Sequence, residues 1–121
     1  MHNIMPPIAG NSQLIRSYGG QGFRIGQAEY ASHVLVLPTI THAWNGELAP
    51  EALAPLFAYE PATELLLIGT GARHEMVDPA LRKALKEKGL ALDTMDTGAA
   101  CRTFNVLLGE GRRVAVALLL P

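Results

Sequence analysis

Two glycine-bearing segments carry residue types that bind small anions. Gly69-Thr70-Gly71 follows one apolar run, and Asp96-Thr97-Gly98 follows the next apolar run along the chain. Each segment precedes a predicted helix, whose first N–H groups lack intrahelical partners and whose dipole attracts negative charge. Arg73 and Arg102 stand just after these segments. The sequence therefore predicts a pocket for an anion or a carboxylate. Its members are Gly71, Arg73, Thr97, Gly98 and Arg102.

The same residues also fit a purely structural role. Glycines make tight turns, and Thr97 has the side chain of a helix-capping residue. A cation in the first turn of a helix opposes the helix dipole, so Arg102 needs a partner. Glu110, Asp96 or a bound anion would supply one. Of the two alternatives, we favour turns, caps and ion pairs over a ligand pocket.

The remaining reactive residues form no catalytic or metal-binding signature. Gly69-x-Gly71 lacks the third glycine of a dinucleotide-binding fingerprint, because His74 occupies that position. The segment 74–78 differs from a metalloprotease helix, since its fifth residue is Asp and Pro79 follows it. Cys101 lies near a helix N-terminus, where a thiol becomes reactive, but a lone cysteine is more often a small buried hydrophobe. We expect no catalytic residue, no metal and no cofactor.

Composition narrows the class of protein. The chain has 121 residues, the usual length of one domain, and 49% of them are hydrophobic. Its net charge of −1 argues against nucleic-acid binding. The longest apolar run, residues 114–120, is too short to span a membrane, and the N-terminus has no signal-peptide pattern. We expect a cytoplasmic bacterial protein that is a monomer or weak dimer, has no disulfide and does not insert into membranes.

The elements that position the two glycine segments are clearest in the C-terminal half. Apolar runs predict buried strands at residues 65–68, 90–95 and 114–120. Between them, helical patterns appear at residues 79–88 and 99–108. Asp78 caps the first helix and Gly89 ends it. Right-handed crossovers make the three strands parallel neighbours, so both glycine segments leave the sheet at its carboxyl edge.

The N-terminal half predicts short strands and turns. After an irregular leader at residues 1–13, we expect strands at residues 14–18, 23–26 and 33–37. Asn45-Gly46 is a strong two-residue hairpin signal and predicts a hairpin that follows Trp44. Trp44 itself is expected in the core, because aromatic side chains bury a large area. Pro55 limits the helical pattern of residues 50–59 to short turns.

Two long runs, residues 64–71 and 95–115, show the features of a family. They contain an Ile-Gly-Thr-Gly turn, a run of Thr, Ala-Ala, Arg-Thr and aromatic-Asn, and a Glu-Gly, Arg-Arg segment before the last strand. Together with a match that extends back to about Leu14 and includes Tyr18, they resemble an uncharacterised-protein family that includes the mitochondrial complex I (NADH:ubiquinone oxidoreductase) assembly factor 3. The resemblance implies a single three-layer α/β domain at residues 14–121. It has a mixed central sheet, a C-terminal β-α-β-α-β parallel unit and an N-terminal β-hairpin region.

The resemblance also implies a function. A non-catalytic role in protein binding or complex assembly is expected, with an unknown protein partner. The alternative is a protein or enzyme that binds a small molecule at the carboxyl edge of the parallel strands. The motif and the two glycine segments together supply the candidate binding residues: Gly69, Thr70, Gly71, Arg73, Thr97, Gly98, Arg102, Thr103, Asn105 and Glu110.

Overall fold

A computed structural model describes residues 13–121. Residues 1–12, where most of the predicted leader falls, lie outside the described residues. The strands are β1 Ile15–Gly19, β2 Gly22–Ile25, β3 Ala28–Tyr30, β4 His33–Val36, β5 Thr41–Trp44, β6 Leu65–Gly69, β7 Ala91–Met95 and β8 Val114–Leu118. The helices are a short 3-10 helix at Pro50–Leu53, α1 Ala54–Ala58, α2 Pro79–Glu87 and α3 Thr97–Gly109.

The strands form two sheets. The central sheet has the order β5-β4-β8-β6-β7, in which β6 is parallel to both β7 and β8. β4 is antiparallel to β5 and β8, so the sheet is mixed. β1, β2 and β3 form a small antiparallel sheet of two successive hairpins. The predicted parallel unit and the predicted N-terminal hairpin region are both confirmed.

Alternating side chains of the central sheet supply two cores. Along β8, Val114, Val116 and Leu118 face α3 and the small sheet. Ala115 and Ala117 face the opposite layer, which holds α2, α1 and the 3-10 helix. A fully buried Val or Leu stabilises the fold by about 1.5–3 kcal/mol, so the face of β8 toward α3 contributes more than its alanine face. The expected single three-layer α/β domain with a mixed sheet is confirmed.

The hairpin predicted at Asn45-Gly46 is wrong. β4 and β5 are joined by residues 37–40 instead, where the Leu37 N–H donates to the Ile40 carbonyl at 2.8 Å. The Asn45 side chain accepts the Glu47 N–H at 2.9 Å, and the chain then enters the 3-10 helix. No strand therefore follows Gly46 that could pair with β5. Trp44 lies in the core as expected.

Helix boundaries depend on their caps. Asp78 caps α2 as predicted, since its carboxylate accepts the Ala80 N–H at 2.9 Å. α3 begins two residues earlier than predicted, at Thr97, and its N-cap is Asp96. The capping role considered for Thr97 is thus wrong, because Thr97 is already the first helical residue. β3 was not predicted, since three residues are too few to show alternation.

Candidate functional site

Thr97 joins the ends of three elements. Its hydroxyl donates to the Leu119 carbonyl at 2.7 Å and accepts the Gly71 N–H at 2.9 Å. The Thr97 N–H in turn donates to the Gly71 carbonyl at 2.9 Å. The Thr97 side chain is fully buried. The start of α3 is therefore fixed to the segments that follow β6 and β8, and Gly71 and Thr97 bond to each other.

Gly69 and Thr70 stabilise the packing of the end of β6, and of the loop that follows it, against the start of α3. A Cβ on Gly69 would lie 2.9 Å from the Thr97 Cα, so only glycine lets α3 approach so closely. The Thr70 hydroxyl accepts the Glu75 N–H at 2.9 Å. It also lies 2.9 Å from the Arg73 carbonyl and 3.2 Å from the Met95 carbonyl, either of which can accept its proton. Thr70 thus closes the loop that follows β6.

The N-terminus of α3 is already capped by a carboxylate of this chain, that of Asp96. The Asp96 carboxylate accepts the Ala99 N–H at 2.9 Å, which is the position an external anion would occupy. The Tyr18 hydroxyl covers Gly98, where an added Cβ would lie only 2.8 Å from the phenolic oxygen. These contacts give no support to the predicted anion pocket. Arg73 and Arg102 are both exposed.

Arg102 has a partner that the sequence did not indicate. Its guanidinium donates to the Tyr18 hydroxyl at 2.9 Å. Within residues 13–121 the two ion pairs both use Glu64, with Arg112 and Arg113. Of the three partners considered for Arg102, neither Glu110 nor Asp96 forms an ion pair with it in residues 13–121. Asp96 is engaged in capping, and Glu110 follows the far end of α3.

Asn105 makes a two-point contact with β1. Its side-chain amide donates to the Ile15 carbonyl at 2.8 Å, and its oxygen accepts the Ile15 N–H at 2.9 Å. Thr103 is half-buried and Glu110 is exposed. The Glu110 N–H donates to the Val106 and Leu107 carbonyls at the C-terminus of α3.

The ten predicted site residues thus lie in different parts of this edge and of α3. Five of them meet around the N-terminus of α3: Gly69, Gly71, Thr97, Gly98 and Arg102. Asn105 lies farther along the same helix and, like Arg102, holds β1. Thr70 and the Arg73 carbonyl meet in the loop that follows β6, whereas the Thr103 and Glu110 side chains do not join these contacts. Tyr18 is the participant that sequence reasoning missed as a site member, although its presence in the family match was the available signal.

Among residues 13–121, the pKa values of two ionisable groups depart clearly from their ordinary values. Burial raises the pKa of the Cys101 thiol to about 12, and the nearby Arg102 only partly offsets this. Cys101 is therefore a neutral, buried side chain, as the sequence favoured. The hydrogen bond from Arg113 lowers the pKa of Glu64, which is exposed. In residues 13–121, no three His, Cys, Asp or Glu side chains converge to hold a metal ion.

Residues 15–119 match a family described as "Protein of unknown function (DUF498/DUF598)". The zebrafish NADH dehydrogenase [ubiquinone] 1 alpha subcomplex assembly factor 3 is 36% identical over 123 residues, which are 98% of this chain and 71% of that protein. An uncharacterised protein of Rhodobacter capsulatus is 37% identical over 105 residues, covering 87% of this chain and 82% of that one. The chain spans 60 to 71% of the length of its vertebrate relatives.

Solved structures share the fold. A Bartonella henselae structure described as an outer membrane protein has a TM-score of 0.81 at 35% identity, over 92% of this chain and 97% of that one. A Bordetella pertussis protein described as a Mth938-like domain has a TM-score of 0.76 at 28% identity, over 98% and 92% of the two chains. In the described part of this chain, no helix is both long and apolar enough to cross a membrane.

Proposed function

The chain belongs to the family described as protein of unknown function (DUF498/DUF598), and on that premise we propose that it is a non-catalytic domain that assists the assembly of an NADH dehydrogenase complex. The observation that carries this function is its similarity to proteins named as assembly factors of that complex. The match to the zebrafish factor extends over 98% of this chain.

The geometry of the motif supports a non-catalytic role. The hydroxyl of Thr97 and the amide of Asn105 are used in bonds to backbone groups. Cys101 is buried with a raised pKa, which disfavours a thiolate nucleophile. Polar residues that hold elements together in this way favour a rigid surface for a partner over a reactive centre.

The proposed location is the cytoplasm, and the proposed state is a monomer or weak dimer. The single cysteine, Cys101, is buried and free, which suits a reducing compartment. The partner is then a protein that meets the domain at its surface.

Replacement of the matching region in a vertebrate relative tests the function. In human cells that lack assembly factor 3, residues 15–119 of this chain would replace the matching region of the human protein. The rest of the human protein stays unchanged, because this chain spans 67% of its length. The amount of assembled NADH dehydrogenase on native gels is the readout. Cells with the intact human factor and cells with an empty vector are the two controls.

A further inference from the structure

The outer face of α3 differs from that of an ordinary surface helix. Between Thr97 and Gly109 the helix carries one charged residue, Arg102. α2 is the contrasting case, since four of its nine residues are charged and exposed: Arg82, Lys83, Lys86 and Glu87. A solvent-facing helix normally presents a polar face, as α2 does. The exposed side of α3 therefore presents one charge beside an exposed apolar side chain, where α2 presents four charges.

Three adjacent side chains form the centre of this surface, here called the α3 face: Tyr18, Arg102 and Val106. Val106 follows Arg102 by one helical turn, so the two lie next to each other. Arg102 is in turn bonded to Tyr18. Val106 is 56% exposed and Tyr18 is 43% exposed. Tyr and Arg are the residue types that most often dominate binding at protein interfaces.

Arg102 defines the charge that a partner should carry. A guanidinium has five N–H donors, and one bond to Tyr18 leaves others for a carboxylate. Within residues 13–121 no acidic side chain forms an ion pair with Arg102. An acidic group from outside the chain would therefore complement the only charge on α3.

The shape of the α3 face fits a helix better than a strand. A strand adds to a free sheet edge, whereas the backbone of α3 is bonded within the helix. The edge of β1 beside α3 is also closed at Ile15, by Asn105. Small residues at Ala99 and Gly109 allow a second helix to approach to about 8–10 Å between axes. Thirteen residues give α3 a length of about 20 Å for such a contact.

We propose that the α3 face docks a helix of a partner protein, with an acidic side chain of that helix on Arg102 and its apolar side chains against Val106 and Tyr18. This docking site rests on the proposed function, because it specifies how an assembly domain recognises its partner. Its defining prediction is that binding depends on positive charge at the α3 face.

Photo-crosslinking tests the site in the cells that make the chain. A photo-reactive amino acid is placed at position 109, at the exposed end of the α3 face, and in a second protein at position 83 on α2 as the control. Mass spectrometry then identifies the crosslinked segment of the partner. We expect the probe at position 109 to capture a helical segment with an Asp or Glu within one turn of the crosslink. The probe at position 83 should not capture that segment.

Two substitutions at one exposed position isolate the charge. Val106→Glu places a like charge opposite the partner's acid, so we expect the crosslink to fall by about tenfold or more. Val106→Lys keeps an apolar stem and adds the favourable charge, so the crosslink should stay within about twofold. Val106 takes no part in the hydrogen bond between Arg102 and Tyr18. A glutamate at position 106 also lies one turn from Arg102 and pairs with it, which lowers the positive charge of the α3 face in the same direction. Thermal unfolding temperatures of both variants equal to that of the unsubstituted protein show that folding is unchanged.

The outcomes separate the docking site from the proposed function. A crosslink equal at positions 109 and 83, a segment without an acid, or equal losses for Val106→Glu and Val106→Lys would overturn the docking site. Capture of an acidic helix from a protein unrelated to NADH dehydrogenase would support the docking site and contradict the proposed function. Capture of an NADH dehydrogenase subunit with the expected charge dependence supports both.

Discussion

Asn105 binds both backbone groups of Ile15, with its amide 2.8 Å from the Ile15 carbonyl oxygen and its own oxygen 2.9 Å from the Ile15 nitrogen. One side chain thus takes the place of a neighbouring strand at the edge of β1. Arg102 holds Tyr18 of the same strand, one helical turn away. The small sheet is therefore attached to α3 at two points, and this attachment forms the edge of the α3 face.

Removal of the Asn105 amide should loosen this attachment. Asn105→Ala leaves the Ile15 N–H and carbonyl without their partner, so we expect a loss of about 2 kcal/mol in the free energy of unfolding. Lys83→Ala, an exposed change on α2, should cost less than about 0.5 kcal/mol. Urea unfolding of both variants measures the difference. Equal stabilities would show that the Asn105 bonds contribute nothing.

The stability of the fold should depend on the hydroxyl group of Thr97 rather than on the volume of its side chain. Thr97→Val keeps the volume but leaves the buried Gly71 N–H and Leu119 carbonyl unpaired, so we expect a loss of about 2–4 kcal/mol. Thr97→Ser keeps the hydroxyl and should retain more of the stability. Chemical unfolding of the two variants provides the test, and a valine variant as stable as the serine variant would refute this role.

The Cys101 thiol should make the fold less stable at high pH. Its pKa is about 12 in the folded chain against an ordinary value of 9.0. Between these values the unfolded chain has lost the proton that the folded chain keeps. Stability therefore falls as pH rises from about 9, by up to about 1.4 kcal/mol per pH unit.

Comparison with Cys101→Ala isolates this effect from other titrating groups. The difference in the free energy of unfolding between the two proteins should be constant below pH 9 and shift against the native protein above it. The native thiol should also resist alkylation until the chain unfolds. Rapid alkylation of the folded protein at pH 8 would contradict the burial of Cys101.

Gly69, which ends β6 against α3, and Gly98, in the first turn of α3, should respond differently to alanine. In Gly69→Ala the new Cβ meets the Thr97 Cα at 2.9 Å, and backbone cannot move aside, so we expect a loss of about 1–3 kcal/mol. In Gly98→Ala it meets the phenol of Tyr18, an exposed side chain that can shift at the expense of its bond to Arg102, and alanine favours the helix. Thermal unfolding should rank Gly69→Ala as the less stable variant, and the reverse order would refute the close approach at Gly69.

Local patterns explain which features of the fold were predictable. The buried runs of β6 and β8 and the Asp78-Pro79 start of α2 are set by neighbouring residues, so the parallel unit followed from the sequence. The hairpin predicted from Asn45-Gly46 is wrong because a hairpin also needs a second strand, whereas the chain here continues into a 3-10 helix. A turn signal alone cannot show where the following residues go.

The sequence predicted that several candidate residues lie near one another, but not which contacts they make. The sequence placed Thr97, Gly98 and Arg102 at one sheet edge, and the structure brings them together there. Their partners are Tyr18, 84 positions before Arg102, and the Leu119 carbonyl. Such contacts arise only when the small sheet packs against α3, so spacing along the chain suggested an anion pocket where the structure has internal bonds.

The amount of assembled NADH dehydrogenase in human cells that carry the chimera tests the proposed function most directly. If residues 15–119 form an assembly domain, native gels should show the complex restored well above the empty-vector cells and toward the level given by the intact human factor. A complex that stays at the empty-vector level, while the chimera is folded and as abundant as the human factor, would contradict the proposed function.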